Sequence, residues 1–290
     1  MKQAWSRLFG PRPGLFGRPM LRFSLWLHMG LVLATHYVPL LILLIYSFNA
    51  SQLALTWGGF SLVWYEKALS KPEVGRAIAN SLAIAISTGL VAAVLGTSLA
   101  LAIERGSERI KRSGRLLALL PIFVPELIMG VGLLIFMTRV LQPWLQPLGW
   151  GLDSFMTVVL GHVTFAVSYV MVTVRARLQH YDRQTELAAM DLGARPWPLL
   201  WYIILPQLTP AIFAGALMAI SLSLDDFYIS YFLTVGGSGF KTVPLYIWNL
   251  QGRTALTPEI NVISTLMLTA SMSCMVIAYL IRPPSRGRSH

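Results

Sequence analysis

Three acidic residues interrupt long apolar runs of the sequence. Glu126 lies in one run, and the adjacent residues Asp225 and Asp226 lie in another. A carboxylate at the centre of a lipid bilayer costs at least about 2.5 kcal/mol, so such residues usually face an interior cavity or a partner. Carboxylates in this position can carry cations through a membrane. They can also cap helices or bond neighbouring helices, and the sequence leaves both interpretations open.

The two adjacent aspartates cannot serve one narrow path equally. Neighbouring residues of a helix point about 100° apart, so only one of them can face a lumen squarely. A stripe of small and polar residues favours Asp226 as the path residue and Asp225 as a structural hydrogen-bonding residue. The stripe consists of Gly215, Ala219, Ser223, Asp226 and Ser230. Small residues on one helix face are also typical of close helix packing, so the stripe does not by itself predict a pore.

Glu126 lies next to two helix-breaking residues. Pro121 and Pro125 precede it and predict a kinked or broken helix at membrane depth. Broken helices near the bilayer midplane are where transporters often build sites, so Glu126 is a candidate path or gate residue. The alternative is a plain kink with a hydrogen-bonded acid. His162, in another apolar run, has no metal-binding spacing around it and is expected to form hydrogen bonds within the packed helices.

The composition identifies the elements that must position these acids. The chain has 290 residues, of which 55% are hydrophobic and 12% charged, whereas soluble domains carry roughly 25% charged residues. A helix needs about 20 apolar residues to cross a bilayer. We therefore predict an all-α, polytopic membrane protein with six transmembrane helices. The predicted spans are Trp26–Phe48, Ile78–Ile103, Leu116–Met137, Phe155–Val174, Pro210–Leu233 and Val262–Ile281.

The distribution of charge predicts the orientation. Most of the 23 Lys and Arg residues fall in the N-terminal segment, the second and fourth connections, and the C-terminal tail. Basic residues accumulate on the cytoplasmic side, so both termini are expected there. The net charge of +11 therefore predicts contact with membrane lipid and no nucleic-acid partner. The expected division is a basic segment 1–25, a transmembrane domain 26–281 and a tail 282–290.

The connection between the fourth and fifth spans is unlike the others. From Tyr181 to Trp201 it has apolar residues at helical spacing, an acid near the start at Glu186 and a glycine near the end at Gly193. This pattern predicts a short helix outside the membrane. The helix either rests on lipid headgroups or is offered to a cytoplasmic partner.

The segment ELAAMDLGARPWPLLWYIILP, from Glu186 to Pro206, resembles the EAA loop of permease subunits in binding-protein-dependent ABC importers. The residues at the motif positions are Ala188, Ala189, Gly193, Ile203, Leu205 and Pro206, while Leu187 occupies the first position and the acid precedes it. The resemblance implies that the coupling loop 181–206 docks on an ATPase subunit. The implied coupling residues are Glu186, Leu187, Ala188, Ala189, Asp191, Gly193, Ile203, Leu205 and Pro206. Small alanines suit close approach, Gly193 suits a sharp turn, and Pro206 suits the first turn of the next helix.

Further segments narrow the resemblance. Five segments resemble permeases of the spermidine/putrescine group, most closely the second permease subunit of putrescine importers. The segments are PLLILLIYSFN at 39–49, ANSLAIA at 79–85, HVTFAVSYV at 162–170, SLSLDDFYIS at 221–230 and PEIN at 258–261. The resemblance implies a type I importer permease fold and polyamine import by alternating access. It also implies a location in a bacterial inner membrane and three kinds of partner: a second homologous permease, two ATP-binding subunits that hold ATP and Mg, and a periplasmic substrate-binding protein.

The resemblance implies a role for Glu126, Asp225 and Asp226, since their carboxylates would offset part of the cost of dehydrating the ammonium groups of a polyamine. The chain contains no phosphate-binding G-x-x-x-x-G-K-[ST] motif, so it is expected not to be an enzyme and to hold no cofactor. Three alternatives stay open: an ABC importer of sulfate, molybdate, iron or thiamine, a stand-alone secondary transporter or channel, and an intramembrane enzyme. The last is disfavoured because no nucleophile–base pair stands out.

Overall fold

The computed structural model describes residues 18–54, 56–148, 153–234, 240–251 and 257–281. Helices account for most of these residues, and six of the helices in the described ranges are long and apolar enough to cross a membrane. This confirms the predicted all-α, six-span architecture. The helices are α1 (Arg18–Tyr46), α2 (Val63–Leu69), α3 (Pro72–Arg105), α4 (Glu108–Phe123), α5 (Glu126–Leu148), α6 (Ser154–Leu178), α7 (Gln184–Asp191), α8 (Pro196–Asp225), α9 (Tyr228–Thr234), α10 (Val243–Gln251) and α11 (Glu259–Leu280).

The packed centre of the molecule consists of α3, α6 and α8. Val170 of α6 lies between two glycines, one on each neighbouring helix. A Cβ placed on Gly96 of α3 would lie 2.7 Å from the Val170 Cβ, and one on Gly215 of α8 would lie 3.2 Å from the Val170 Cα. Small residues allow helix backbones to approach closely where lipid supplies no hydrophobic force between helices. These three spans therefore form one tightly packed unit.

The first span is peripheral and longer than predicted. Its helix begins at Arg18, so the predicted boundary between residues 25 and 26 falls inside a helix. Most of its side chains are exposed, and it packs against α11. The predicted basic segment up to residue 17 and the predicted tail 282–290 lie outside the described residues.

The third span is broken, as the prolines predicted. Helix α4 ends at Phe123, Val124 is extended with φ −76° and ψ 126°, and α5 begins at Glu126. A residue before proline is pushed towards the extended region, which explains the break at Val124 and Pro125. The predicted bounds of this span, Leu116–Met137, are wrong, because the segment long enough to cross the membrane runs from Glu126 to Leu148.

The fifth span also differs from its prediction, Pro210–Leu233. Its helix begins at Pro196 and ends at Asp225, and Asp226 is extended with φ −66° and ψ 128°. Within this span the regular α-helix begins at Leu205, so Pro206 lies in its first turn, as predicted. A wide turn of π-helix at Leu200–Ile204 immediately precedes it, which accommodates a ring that would otherwise meet the carbonyl of the preceding turn. The predicted polar stripe does not continue to Ser230 on one helix, because the helix has already ended.

A second cluster of buried residues joins the helices at the end of the molecule opposite α7. It contains Trp64, Ala68, Val74, Ala77, Val243, Tyr246, Val262 and Ile263. Glu259 is buried beside it, where its carboxylate accepts hydrogen bonds from Lys71 Nζ at 2.6 Å and from Tyr246 Oη at 3.2 Å. Burial and the adjacent negative charge raise the pKa of Tyr246 to about 12, so its phenol stays protonated and keeps donating. This network ties α3, α10 and α11 together.

Candidate functional site

The segment resembling a coupling loop contains a short helix that ends in a glycine turn. Helix α7 covers Gln184–Asp191, which is shorter than the predicted Tyr181–Trp201. Gly193 has φ +84°, a conformation that L-residues with a Cβ rarely adopt. The amide of Gly193 donates to Met190 O and that of Ala194 to Ala189 O, both at 2.9 Å. The turn redirects the chain so that the next helix, α8, begins at Pro196.

The motif residues divide between the surface and the packed interior. Leu187 is 44% exposed, Met190 46% and Leu192 90%, and Ala188, Asp191 and Pro206 are exposed too. Ala189 and Ile203 are half-buried and pack against the main core, and Leu205 is half-buried. The structure thus presents an apolar surface of leucine and methionine side chains around two small alanines. This exposed apolar surface lies where the resemblance predicts contact with a partner, and its role stays a prediction.

Glu186 points away from that surface. It is buried, and its Oε1 lies 2.9 Å from Nη2 of Arg105, the last residue of α3. Burial and this neighbouring carboxylate raise the pKa of Tyr181 to about 12. The resemblance did not predict this inward contact, since the sequence does not show which residues of α3 lie beside α7.

Asp226 caps the short helix that follows the break in the fifth span. It is 6% exposed, and its carboxylate accepts from the amides of Ser230 at 2.9 Å and Ile229 at 3.4 Å. The first amides of a helix have no partner within the helix, so a carboxylate in this position satisfies two of them. This geometry corresponds to the capping alternative considered for the pair.

His162 of α6 joins the two sides of this break. Its side chain is fully buried, and Nε2 lies 3.0 Å from Asp226 Oδ2 and 3.0 Å from Ser230 Oγ. Its Nδ1 lies 2.7 Å from Ser223 Oγ, on the last turn of α8. The hydrogen-bonding role expected of this histidine is present, but its partners could not be predicted because they lie on another span.

Asp225, by contrast, opens onto a cavity. It is exposed, and its Oδ1 accepts a hydrogen bond from Ser271 Oγ at 2.8 Å. The cavity has a volume of about 410 Å³, and Asp225 is the only charged residue among the described residues that line it. The rings of Phe227 and Trp248, which also line it, have centroids 5.3 Å apart. The geometry therefore favours Asp225 over Asp226 as the acid available to a solute.

Glu126 is the first residue of α5 and is exposed at the break of the third span. Helix α5 packs against α9, and a Cβ on Gly130 would lie 3.2 Å from the carbonyl oxygen of Tyr228. The broken parts of the third and fifth spans are thus adjacent. The roles of Glu126, Asp225 and Asp226 in a path stay predictions. In the described ranges, no three His, Cys, Asp or Glu side chains are placed to hold a metal ion.

A family model agrees with the similarity noted in the coupling loop. Residues 92–282 match the model described as "Binding-protein-dependent transport system inner membrane component". The matched region includes the four spans α5, α6, α8 and α11 and the whole of α7.

Curated relatives match over most of the chain. The putrescine transport system permease protein PotI of Escherichia coli strain K12 is 39% identical over 236 residues, covering 81% of this chain and 82% of the relative. The spermidine/putrescine transport system permease protein PotC of Haemophilus influenzae is 35% identical over 254 residues, covering 87% of this chain and 94% of the relative. PotC of Escherichia coli strain K12 is 32% identical over 265 residues, covering 90% and 95%.

Solved structures share the fold. A bacterial ABC transporter that imports the acidic polysaccharide alginate matches with a TM-score of 0.67 at 16% identity, covering 93% of this chain and 97% of that chain. An alginate ABC transporter in complex with a pentasaccharide-bound periplasmic protein matches with a TM-score of 0.62 at 17% identity, covering 88% and 91%. At this level of identity the likeness concerns the fold alone.

Proposed function

Because the chain belongs to the family of inner membrane components of binding-protein-dependent transport systems, we propose that it is a permease subunit that conducts polyamines into the cytoplasm. Its family and its fold are those implied by the coupling-loop resemblance, which is thereby confirmed. It is a multi-pass inner membrane protein of an ABC importer. The cargo, the partner composition and the direction of movement are the proposed part.

One structural observation carries the proposed cargo. Asp225 is the only charge among the described residues that line the cavity beside the broken fifth span. An ammonium group entering there loses hydration, and the carboxylate offsets part of that cost. The faces of Phe227 and Trp248 attract a cation, and apolar walls such as Leu43 and Leu268 suit the methylene chain of a diamine. A sulfate or molybdate ion would meet repulsion instead. The names of the relatives PotI and PotC support putrescine and spermidine.

The proposed assembly follows the family expectation. A second homologous permease completes the path, two ATP-binding subunits hold ATP and Mg, and a periplasmic protein delivers the polyamine. Both termini and α7 face the cytoplasm, where the exposed surface formed by Leu187, Met190 and Leu192 docks on an ATP-binding subunit. Closure of those subunits moves α7 and switches the path between its two open sides. ATP hydrolysis belongs to the partners, and this chain is not itself an enzyme.

Substitution of Asp225 by asparagine tests the cargo. In proteoliposomes that contain the assembled transporter, D225N is expected to raise the KM for putrescine at least tenfold, because the neutral amide no longer attracts the ammonium. The control is Glu66→Gln, which removes an exposed acid of α2 and should leave uptake unchanged. Wild-type KM in D225N would refute the role of Asp225. Import of an anion in place of the diamine would refute the cargo.

Substitution of Leu192 by aspartate tests docking. Leu192 is 90% exposed, so the substitution should not disturb the fold, but it places a charge on the surface that fits the partner groove. Co-purification of the ATP-binding subunit is expected to fall at least tenfold. Leu53→Asp, at a leucine that is 52% exposed in the connection after α1, is the matched control and should retain the partner. Equal recovery of the partner in both variants, or uptake by this chain without any ATP-binding subunit, would contradict the proposal.

A further inference from the structure

The last turn of α3 forms two adjacent ion pairs with other helices. Glu104 Oε1 lies 2.5 Å from Nε of Arg175, in the last turn of α6. The next residue, Arg105, lies 2.9 Å from Glu186, in the first turn of α7. Residues of opposite charge in α3 therefore hold the end of the fourth span and the start of the coupling helix. The pairs connect segments that are far apart in the sequence.

The two ends of the Glu186–Arg105 pair differ in exposure. The side chain of Glu186 is 9% exposed, while that of Arg105 is 43% exposed. Ion pairs between two exposed residues contribute little because water competes for both charges. A buried carboxylate lacks that alternative, and removing its partner leaves the charge uncompensated. The pair is therefore a persistent connection, unlike the pair of Lys111 with Glu108, whose acid is 89% exposed.

The position of the acid explains why it turns inward. Leu187 occupies the first position of the motif and is exposed, while Glu186 precedes it and is buried. One residue along a helix changes direction by about 100°. The acid thus lies on the side of α7 that faces α3, while the neighbouring apolar residues stay on the outer surface. An acid so placed serves a contact within the chain rather than one with a partner.

We propose that the Glu186–Arg105 pair transmits movement of the coupling helix to the second span. This inference rests on the proposed function, in which an ATP-binding subunit moves α7. The chain itself joins α7 to α6 and α8 only, and the pair adds α3. Because Val170 of α6 packs between Gly96 of α3 and Gly215 of α8, these three spans then move as one body when α7 is displaced. Glu186 and Arg105 are positioning residues that act on the path through α3.

The experiment measures coupling in the assembled transporter. Polyamine uptake per ATP hydrolysed is determined in proteoliposomes for Glu186→Gln, Arg105→Gln, Arg105→Lys and the exchanged pair Arg105→Glu with Glu186→Arg. Glu186→Gln and Arg105→Gln are expected to lower the ratio at least fivefold while the ATP-binding subunits still co-purify. Arg105→Lys and the exchanged pair are expected to retain at least half of the wild-type ratio. Glu108→Gln, which removes the exposed acid paired with Lys111, is the control and should match wild type.

Three outcomes decide the proposal. A wild-type ratio in Glu186→Gln or Arg105→Gln overturns the transmission role and leaves the proposed function standing. A ratio in the exchanged pair as low as in the single variants overturns it as well, because an ionic connection should survive the exchange. A wild-type preparation that holds no ATP-binding subunit overturns the proposed function itself. Wild-type abundance of Glu186→Gln and Arg105→Gln in the membrane separates loss of coupling from loss of folding.

Discussion

Replacement of His162 by leucine tests the polar cluster at the break of the fifth span. The substitution approximately keeps the volume of the side chain. In the described residues, the side chains that pair with the buried carboxylate of Asp226 are those of His162 and Ser230, and the substitution removes the first of them. Removal of one partner of a buried ion pair costs about 3–5 kcal/mol. Loss of neutral hydrogen bonds between membrane helices costs about 0.6 kcal/mol on average, with a maximum near 1.7. We therefore expect His162→Leu to lower the free energy of unfolding by about 3–5 kcal/mol, because it leaves the buried carboxylate of Asp226 without its histidine partner.

The measurement is reversible unfolding of the purified chain in mixed micelles by titration with sodium dodecyl sulfate, followed by tryptophan fluorescence. Asp226→Asn and the double variant complete a double-mutant cycle. The asparagine oxygen still accepts from the amide of Ser230 but carries no charge, so loss of His162 should cost less in its presence. A coupling energy of about 2 kcal/mol is expected for residues in direct contact. The control is His36→Leu, because the exposed ring of His36 forms its hydrogen bond with Val32 O of its own helix.

Two results would refute this reasoning. If His162→Leu lowers the free energy of unfolding by less than about 1 kcal/mol, the contacts of His162 contribute no more than ordinary hydrogen bonds between membrane helices. Additive costs in the cycle would show that His162 and Asp226 do not stabilise each other. In either case the break in the fifth span would have to be held by packing rather than by the histidine.

Three further substitutions test other parts of the fold. Gly96→Ala should lower the free energy of unfolding by about 1–3 kcal/mol, because its Cβ would lie under 3 Å from a side chain of α6, whereas Gly132→Ala, with no atom within 4 Å of its Cβ, should not; equal unfolding midpoints would contradict this. Gly193→Ala should cost about 1–2 kcal/mol because of its positive φ, and it should speed proteolysis between α7 and α8; unchanged proteolysis would show that the turn tolerates a side chain. Lys71→Met should cost about 1–2 kcal/mol, because the hydrogen bond to buried Glu259 is charge-assisted; a change below 0.5 kcal/mol in the same titration would mean that solvent already screens the pair.

Local signals predicted the features that depend on a few neighbouring residues. The apolar runs indicate six spans, Pro125 indicates the break before Glu126, and Gly193 indicates the turn after the coupling helix. Each of these features follows from the backbone conformations that a residue type allows or from the free energy of transferring its side chain from water to lipid, and both are properties of the residue itself. The structure agrees with each in kind, although the bounds of the third and fifth spans differ.

The break at Asp226 could not be predicted in the same way. No proline or glycine occurs between Leu222 and Ser230, and the residues between them are apolar or aromatic apart from Ser223 and the two acids. The break is stabilised by His162, which lies on another span and is separated from its partners by 61 and 68 residues. The same holds for the inward contact of Glu186 with Arg105, and for the cavity beside Asp225, which needs residues from five helices or connections to exist. Such features depend on tertiary packing.

The pairing of His162 with Asp226 also bears on biosynthesis. Ribosomes deliver the fourth span to the insertion machinery before the fifth, so the histidine is in the bilayer when the two aspartates arrive. The acidic fifth span, which would by itself partition poorly into the bilayer, can then pair with the histidine. Its entry into lipid therefore depends on the fourth span. Truncated chains that lack the fourth span should consequently retain the fifth span at the translocon, where quality-control proteases can degrade it.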